Sequence, residues 1–277
     1  MYNNFNFLRL ITQERPVGTS ANKIVLDLIE NEIYNIGYQI NSLPFSCLVW
    51  EKDKSNLSID DITYEVFASP FSNAFEGTAK IIIFNSLHDM KKTDCENNII
   101  VLAGDIAQET LQPKNYPFFY PDDHEYFISL LEKKRPSAII SATGKHPING
   151  LAPFTLFEDG NFLIPSAYMS NLLIKELKQF QYREASLTIN SKNISVNSKQ
   201  IIALKQAQKQ AIGKIVVCAH MDTKYNTPGA LDNAAGVAVT MEIMHKLKDL
   251  ICDLKIKFKI KNKPLISIKI PRVCQIV

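Results

Sequence analysis

The sequence has 277 residues, 46% of them hydrophobic and 21% charged, which suits a globular chain of one large or two modest domains. No apolar run approaches the roughly 20 residues of a membrane span, so a membrane protein is not expected. The net charge of +3 is uneven: residues 251–277 hold six Lys, one Arg and one Asp, which leaves residues 1–250 at −3.

That basic end suits a nucleic-acid or anionic-membrane patch, or else a strand or chain end with a solvated cationic face. No aromatic stacking platform accompanies the charge, so the second reading is taken, with neither nucleic acid nor membrane as a partner. Residues 1–11 lack a cationic start, a continuous apolar stretch and a small-residue cleavage site, so no secretory signal is expected. Five cysteines, Cys47, Cys95, Cys218, Cys252 and Cys274, are scattered and odd in number. They read as reduced thiols of a cytoplasmic protein, not as a disulfide framework.

The first clear element is a helix. Thr19 or Ser20 can cap it, Ala21, Ile24, Val25, Leu28, Ile29, Ile33 and Ile36 recur at helical spacing, and Gly37 ends it. Residues 38–40 and 48–51 read as short strands. From about 50 to 165, short β-like runs alternate with turns, at 63–68, 79–84, 99–102, 138–141 and 162–164. Pro70, Gly77, Gly104, Pro113, Pro117, Pro136 and Pro153 punctuate them. A helix over about 124–134, capped by Asp122 or Asp123, interrupts the series. This is the pattern of a small α+β domain inserted into something else. A helical period over 167–179 follows, then strands at 186–189, 200–204 and 214–219, the last a buried run. A helix over about 233–247 comes next. Residues 254–260 alternate apolar residues with Lys, as a half-exposed strand does. The predicted fold class is α/β, a sheet flanked by helices. Its predicted segments are 1–48, an insert over 49–166, and 167–277.

The chemistry concentrates in the stretch from Cys218 to Gly236. A buried strand delivers His220 to its C-terminal end. Asp222, two residues on, shares its face, which suits a metal-binding imidazole oriented by a carboxylate through its second ring nitrogen. Ten residues later Asp232 opens a helix, after the small residues Gly229 and Ala230. Imidazole plus carboxylate suits zinc, and equally cobalt or manganese. Two plainer readings stand beside this one: a structural His–Asp hydrogen bond, and Asp232 as a helix cap.

Residues 216–239 resemble the first zinc motif of metallopeptidase family 28, the co-catalytic two-zinc aminopeptidases. The motif is a strand ending in H-x-D, here His220-Met221-Asp222. Then comes P-G-A-x-D-N-x-x-G opening a helix, here Pro228 to Gly236. Upstream, Glu14-Arg15-Pro16 with Gly18 to Asn22 looks like the family's opening helix. Residues 50–166 look like its protease-associated insert, with Gly104 to Ala107 and Ile164 to Ser166 as looser matches. The resemblance implies that His220 binds one zinc, that Asp232 bridges two, and that Asp222 orients His220. It also implies hydrolysis of N-terminal residues from peptides, so a peptide is the expected substrate or ligand.

The family also supplies a Glu-Glu pair after the next strand, then a later Asp and His. Here the strand over 254–260 is followed by Lys261-Asn262-Lys263-Pro264. No acidic residue follows Asp253 and no His follows His245. On that resemblance the general base and three of five metal-ligand side chains are missing. The expectation is a C-terminally truncated or frame-shifted product that does not catalyse, with a dedicated short form as the other reading. A non-catalytic peptide- or protein-binding module and a non-functional fragment remain as alternatives. Elsewhere, Glu242 and His245 read as a solvated helix face, 122–125 as first-turn charges, His88-Asp89 and His146 as surface residues, and Cys218 as packing.

Overall fold

The computed structural model describes residues 3–114, 119–144, 155–208, 210–251 and 253–262. The expectations for Pro117, His146, Pro153, Cys252, Cys274 and the stretch from Lys263 onward lie outside the described residues. In chain order the elements open with α1 (Asn4–Ile11), α2 (Ser20–Ile36), β1 (Gln39–Lys52), β2 (Ser55–Ile59), β3 (Ile62–Ala68) and β4 (Phe75–Phe84). Then come α3 (Leu87–Lys92), β5 (Ile99–Leu102), α4 (Asp122–Lys134), β6 (Ala138–Thr143), β7 (Ser166–Ser170) and α5 (Ile174–Leu177). They close with β8 (Glu184–Ile189), β9 (Ser191–Lys205), β10 (Gly213–His220), α6 (Ala235–Leu247) and β11 (Leu254–Lys261).

These elements fall into two compact units, Met1–Val49 with Ser195–Val277, and Trp50–Ile194. The first is a four-stranded sheet in the order β1-β9-β11-β10. β10 and β11 run parallel, with Val217 opposite Phe258 and His220 opposite Lys261, and β9 is antiparallel to β11. One core joins Phe7 and Ile11 of α1, Val25, Leu26, Ile29 and Ile33 of α2, and Val237, Ala238, Met241 and Met244 of α6. These pack with Ile256, Phe258 and Ile260 of β11. The α2 termini obey local rules. The Thr19 side chain accepts the Asn22 N–H, and Gly37 closes the helix at φ 93°. Among the described residues β11 has a neighbour on each side and β10 has one, so β10 stands at the edge of the described sheet. The run 214–219, expected to be buried, is therefore half open: Ile215 is 44% and Val216 49% exposed, and Cys218 is exposed where packing was expected.

The second unit is a closed barrel, β2-β3-β7-β6-β5-β4-β8. β4, β5, β6 and β7 run parallel, and β8 closes the ring antiparallel to β4 and β2. This unit runs from Trp50 to Ile194, and β7 and β8 supply two of its barrel strands. Residues 167–179, expected as a helix, begin as β7. Ala167, Tyr168 and Met169 are all buried, with β3 and β6 on either side, and only Ile174–Leu177 turns α-helical. Nor are 162–164 a strand: Phe162 stacks on Phe157 at 4.7 Å between ring centroids. α4 starts at Asp122, with Pro121 at the cap position, so Asp122 and Asp123 are first-turn charges on the favourable end of the helix dipole.

Candidate metal centre

β10 carries His220 at its C-terminal end, where an open α/β sheet usually builds its sites. The ladder continues one step further, Met221 N–H donating to the Lys261 carbonyl at 2.9 Å. A loop then leads to Gly229, in the left-handed region at φ 57°, and the chain passes through Asp232 into α6. At that entry the Asn233 carboxamide oxygen accepts the Gly236 N–H at 3.0 Å. A Cβ on Gly236 would lie 2.2 Å from that same oxygen, so a larger residue there would push the Asn233 side chain off this bond. The capping bond thus comes from Asn233, and the Asp232 carboxylate turns to His220 instead.

His220 Nε2 lies 2.7 Å from Asp232 Oδ1, and Nδ1 lies 3.7 Å from Asp222 Oδ1. The second distance is too long for a hydrogen bond, and Nδ1 is a buried atom without one. All three predicted site residues therefore meet. The nearer carboxylate is Asp232, twelve residues away, and Asp222 stands further off on the Nδ1 side. Asp222 beside Nδ1 lifts the His220 pKa above the ordinary imidazole value, burial works against that lift, and Asp232 adds to it. The Asp232 side chain is 87% exposed, so the pair opens to solvent on the carboxylate side.

Imidazole Nε2 and a carboxylate oxygen aimed at one another form a two-donor set of the kind zinc accepts. Two donors near 2.0–2.1 Å from a tetrahedral ion stand about 3.3 Å apart, so a small separation of the pair would admit one. Among the described residues no group of three or more His, Cys, Asp or Glu is placed to hold a metal. The register also sets Lys261, a cation, opposite His220. The described residues thus fit part of one metal site and do not among themselves make up a two-metal site.

Arg15 is the residue that motif reading did not single out for a role here. It is fully buried, and its guanidinium donates to the carbonyls of Gln13, Met221, Pro228 and Gly229. Burial lowers its pKa to about 10, against the opposing pull of Asp222 and Asp232, so it remains a cation at neutral pH. Behind it, Asn22 and Asn262, both fully buried, exchange amide hydrogen bonds of 2.9 and 2.8 Å, and Asn22 also donates to the Arg15 carbonyl at 3.1 Å. Asn22→Leu would strand several of these groups away from water. It is expected to cost about 2–3 kcal/mol, read as a lower denaturation midpoint with Tyr38–Phe258 packing still native by near-UV dichroism.

The other ligand-like residues have plainer partners. His245 Nε2 is 2.8 Å from Glu32 Oε1, and Glu242 pairs with Lys246. His124 Nδ1 accepts the Gln112 N–H at 3.0 Å.

Residues 200–262 match the model of peptidase family M28. The matched segment makes up less than a quarter of the chain. It holds β10, β11, α6 and all three candidate site residues. The chain is similar in fold to the aminopeptidase from Aneurinibacillus sp. strain AM-1, at 20% identity and a TM-score of 0.66, covering 93% of this chain and 61% of that one. It is similar also to BSAP, a zinc aminopeptidase from Bacillus subtilis, at 19% identity and a TM-score of 0.69, covering 93% and 60%. For a peptidase M28 precursor from Shewanella amazonensis the figures are 20%, 0.66, 93% and 63%. The chain thus spans about three fifths of the length of these solved proteins. No curated protein matches it.

Proposed function

We propose that this M28-related chain belongs to the zinc-dependent aminopeptidase line, which removes N-terminal residues from peptides, and that the 277-residue polypeptide holds at most one zinc and does not turn over. The observation that carries the reading is the approach of His220 Nε2 to Asp232 Oδ1 at the end of β10. His220 and Asp232 would hold the ion, which when bound supplies Lewis acidity toward a peptide carbonyl. The chain's own contribution is placement. β10 fixes the imidazole, the loop to Gly229 returns the carboxylate to it, and Asp222 favours one ring orientation from the Nδ1 side. Among the described residues no further His, Cys, Asp or Glu joins the pair to complete a metal site, and Lys261 opposite His220 disfavours a second cation.

Peptide is the proposed substrate or ligand, and the cytoplasm the proposed compartment. No helix among the described residues is long and apolar enough to cross a membrane. The test is zinc stoichiometry on the purified chain. One weakly held ion, lost in His220→Ala, is expected, together with no release of nitroaniline from aminoacyl-nitroanilides. Two tightly held ions with turnover would overturn the inactive reading, and zinc uptake untouched by His220→Ala would overturn the site. A saturable peptide complex that survives chelation would instead make the chain a binding module.

A further inference from the structure

His220 and Asp232 are joined by an eleven-residue loop, and a loop of that length does not by itself hold two side chains in register. Arg15 bonds both ends of it. Its Nε donates to the carbonyl of Met221, the residue after His220. Nη1 donates to Pro228 at 2.8 Å and Nη2 to Gly229 at 3.1 Å, just before the turn that carries Asp232. Nη1 also donates to Gln13 at 2.8 Å. The Arg15 backbone is held in turn, its N–H donating to Thr223 Oγ1 at 2.9 Å and its carbonyl accepting from Asn22. These partners lie more than two hundred residues from Arg15 in the chain, apart from Gln13 and Asn22.

We infer that Arg15 is a positioning residue for the His220–Asp232 pair: its guanidinium ties the outgoing and returning ends of the loop together and so sets the distance between imidazole and carboxylate. The planar fork is what allows this. Five N–H donors in fixed directions reach three separate loop carbonyls, whereas a lysine ammonium is a single point on a flexible stem. The inference rests on the proposed ligand pair only for its metal readout.

The test uses the full chain with nitrogen-15 in its histidine rings. Ring-nitrogen NMR of His220 reports which nitrogen carries the proton and whether Nε2 keeps its partner. Wild type is expected to show one fixed tautomer. Arg15→Lys is expected to show averaged tautomers and a zinc affinity lower by about 10–100-fold, the loss typical when a group supporting a ligand is removed. Thr223→Val removes the acceptor for the Arg15 backbone N–H and leaves the guanidinium contacts. It is expected to lower the melting temperature while leaving the His220 ring signals in place. A His220 spectrum unchanged in Arg15→Lys, or moved equally by Thr223→Val, would overturn the inference and leave Arg15 a purely structural residue.

Should Arg15→Lys fail to fold, the wild-type guanidinium decides. Separate, slowly exchanging Nε and Nη proton signals are expected for a clamp engaged at three loop carbonyls, and a single rotationally averaged Nη signal would overturn it. If wild type takes up no zinc, the ligand-pair reading fails while the His220 spectrum still decides the role of Arg15.

Discussion

Gly229→Ala is expected to destabilise the first unit by about 2–5 kcal/mol and to separate Asp232 from His220. Two costs add. The residue sits at φ 57°, where an L side chain is strained by about 1–2 kcal/mol. An added Cβ would also lie 2.3 Å from Thr223 Cγ2 and 2.8 Å from the Asp232 carbonyl oxygen. Thr223 is buried and its hydroxyl accepts the Arg15 N–H, so it is not free to move aside. The Asp232 carbonyl is backbone, and moving it moves the carboxylate. Forcing a methyl into such a place adds about 1–3 kcal/mol. Hydrogen exchange followed by mass spectrometry checks this: faster exchange is expected across 221–236, with the barrel residues 55–189 unchanged. Equal protection in mutant and wild type would show that the loop has room the distances deny.

What was legible in the sequence follows from how local each feature is. Thr19 and Gly37 announce α2 because capping involves groups within a few residues. Lys and apolar residues alternate through β11 because one face of that strand meets α2 and α6. The motif His220-Met221-Asp222 with Pro228 to Gly236 is contiguous, so it could be read whole. β1 was less visible. Its stretch from Gln39 to Ser46 is mostly exposed and carries Pro44, so the fourteen-residue strand looked like two fragments. α1 was missed although Asn3 caps it by accepting the Asn6 N–H, because the segment is short and rich in Asn. β7 is a short apolar run, which periodicity cannot tell from buried helix. Whether β10 is central or at an edge depends on which strands lie beside it, and no local pattern states that. Arg15 is the extreme case: its loop partners lie at 221, 223, 228 and 229, so nothing near residue 15 reveals them.

Phe258→Ala is expected to cost about 3–5 kcal/mol, and the place of the ring in the sheet explains why the loss should reach the candidate metal centre. Phe258 is 1% exposed and meets Tyr38 edge-to-face at 5.5 Å between centroids. Through the register it lies beside Val217 on β10 and Ala203 on β9. Alanine would leave a cavity in the core that β11 shares with α2 and α6. Among the described residues β10 has β11 alone as a neighbour, so a looser β11 leaves β10 with no other described ladder to hold it. His220, at the end of β10, is then expected to lose its fixed placement along with Met221, whose N–H bonds the Lys261 carbonyl. With two compact units, a single unfolding curve would mix their transitions. The check is therefore residue-level exchange in urea, where α2, α6, β10 and β11 should open at lower denaturant in Phe258→Ala while the barrel keeps its midpoint. A shift shared equally by both units would mean that the sheet and the barrel unfold as one, and that the site depends on the whole chain.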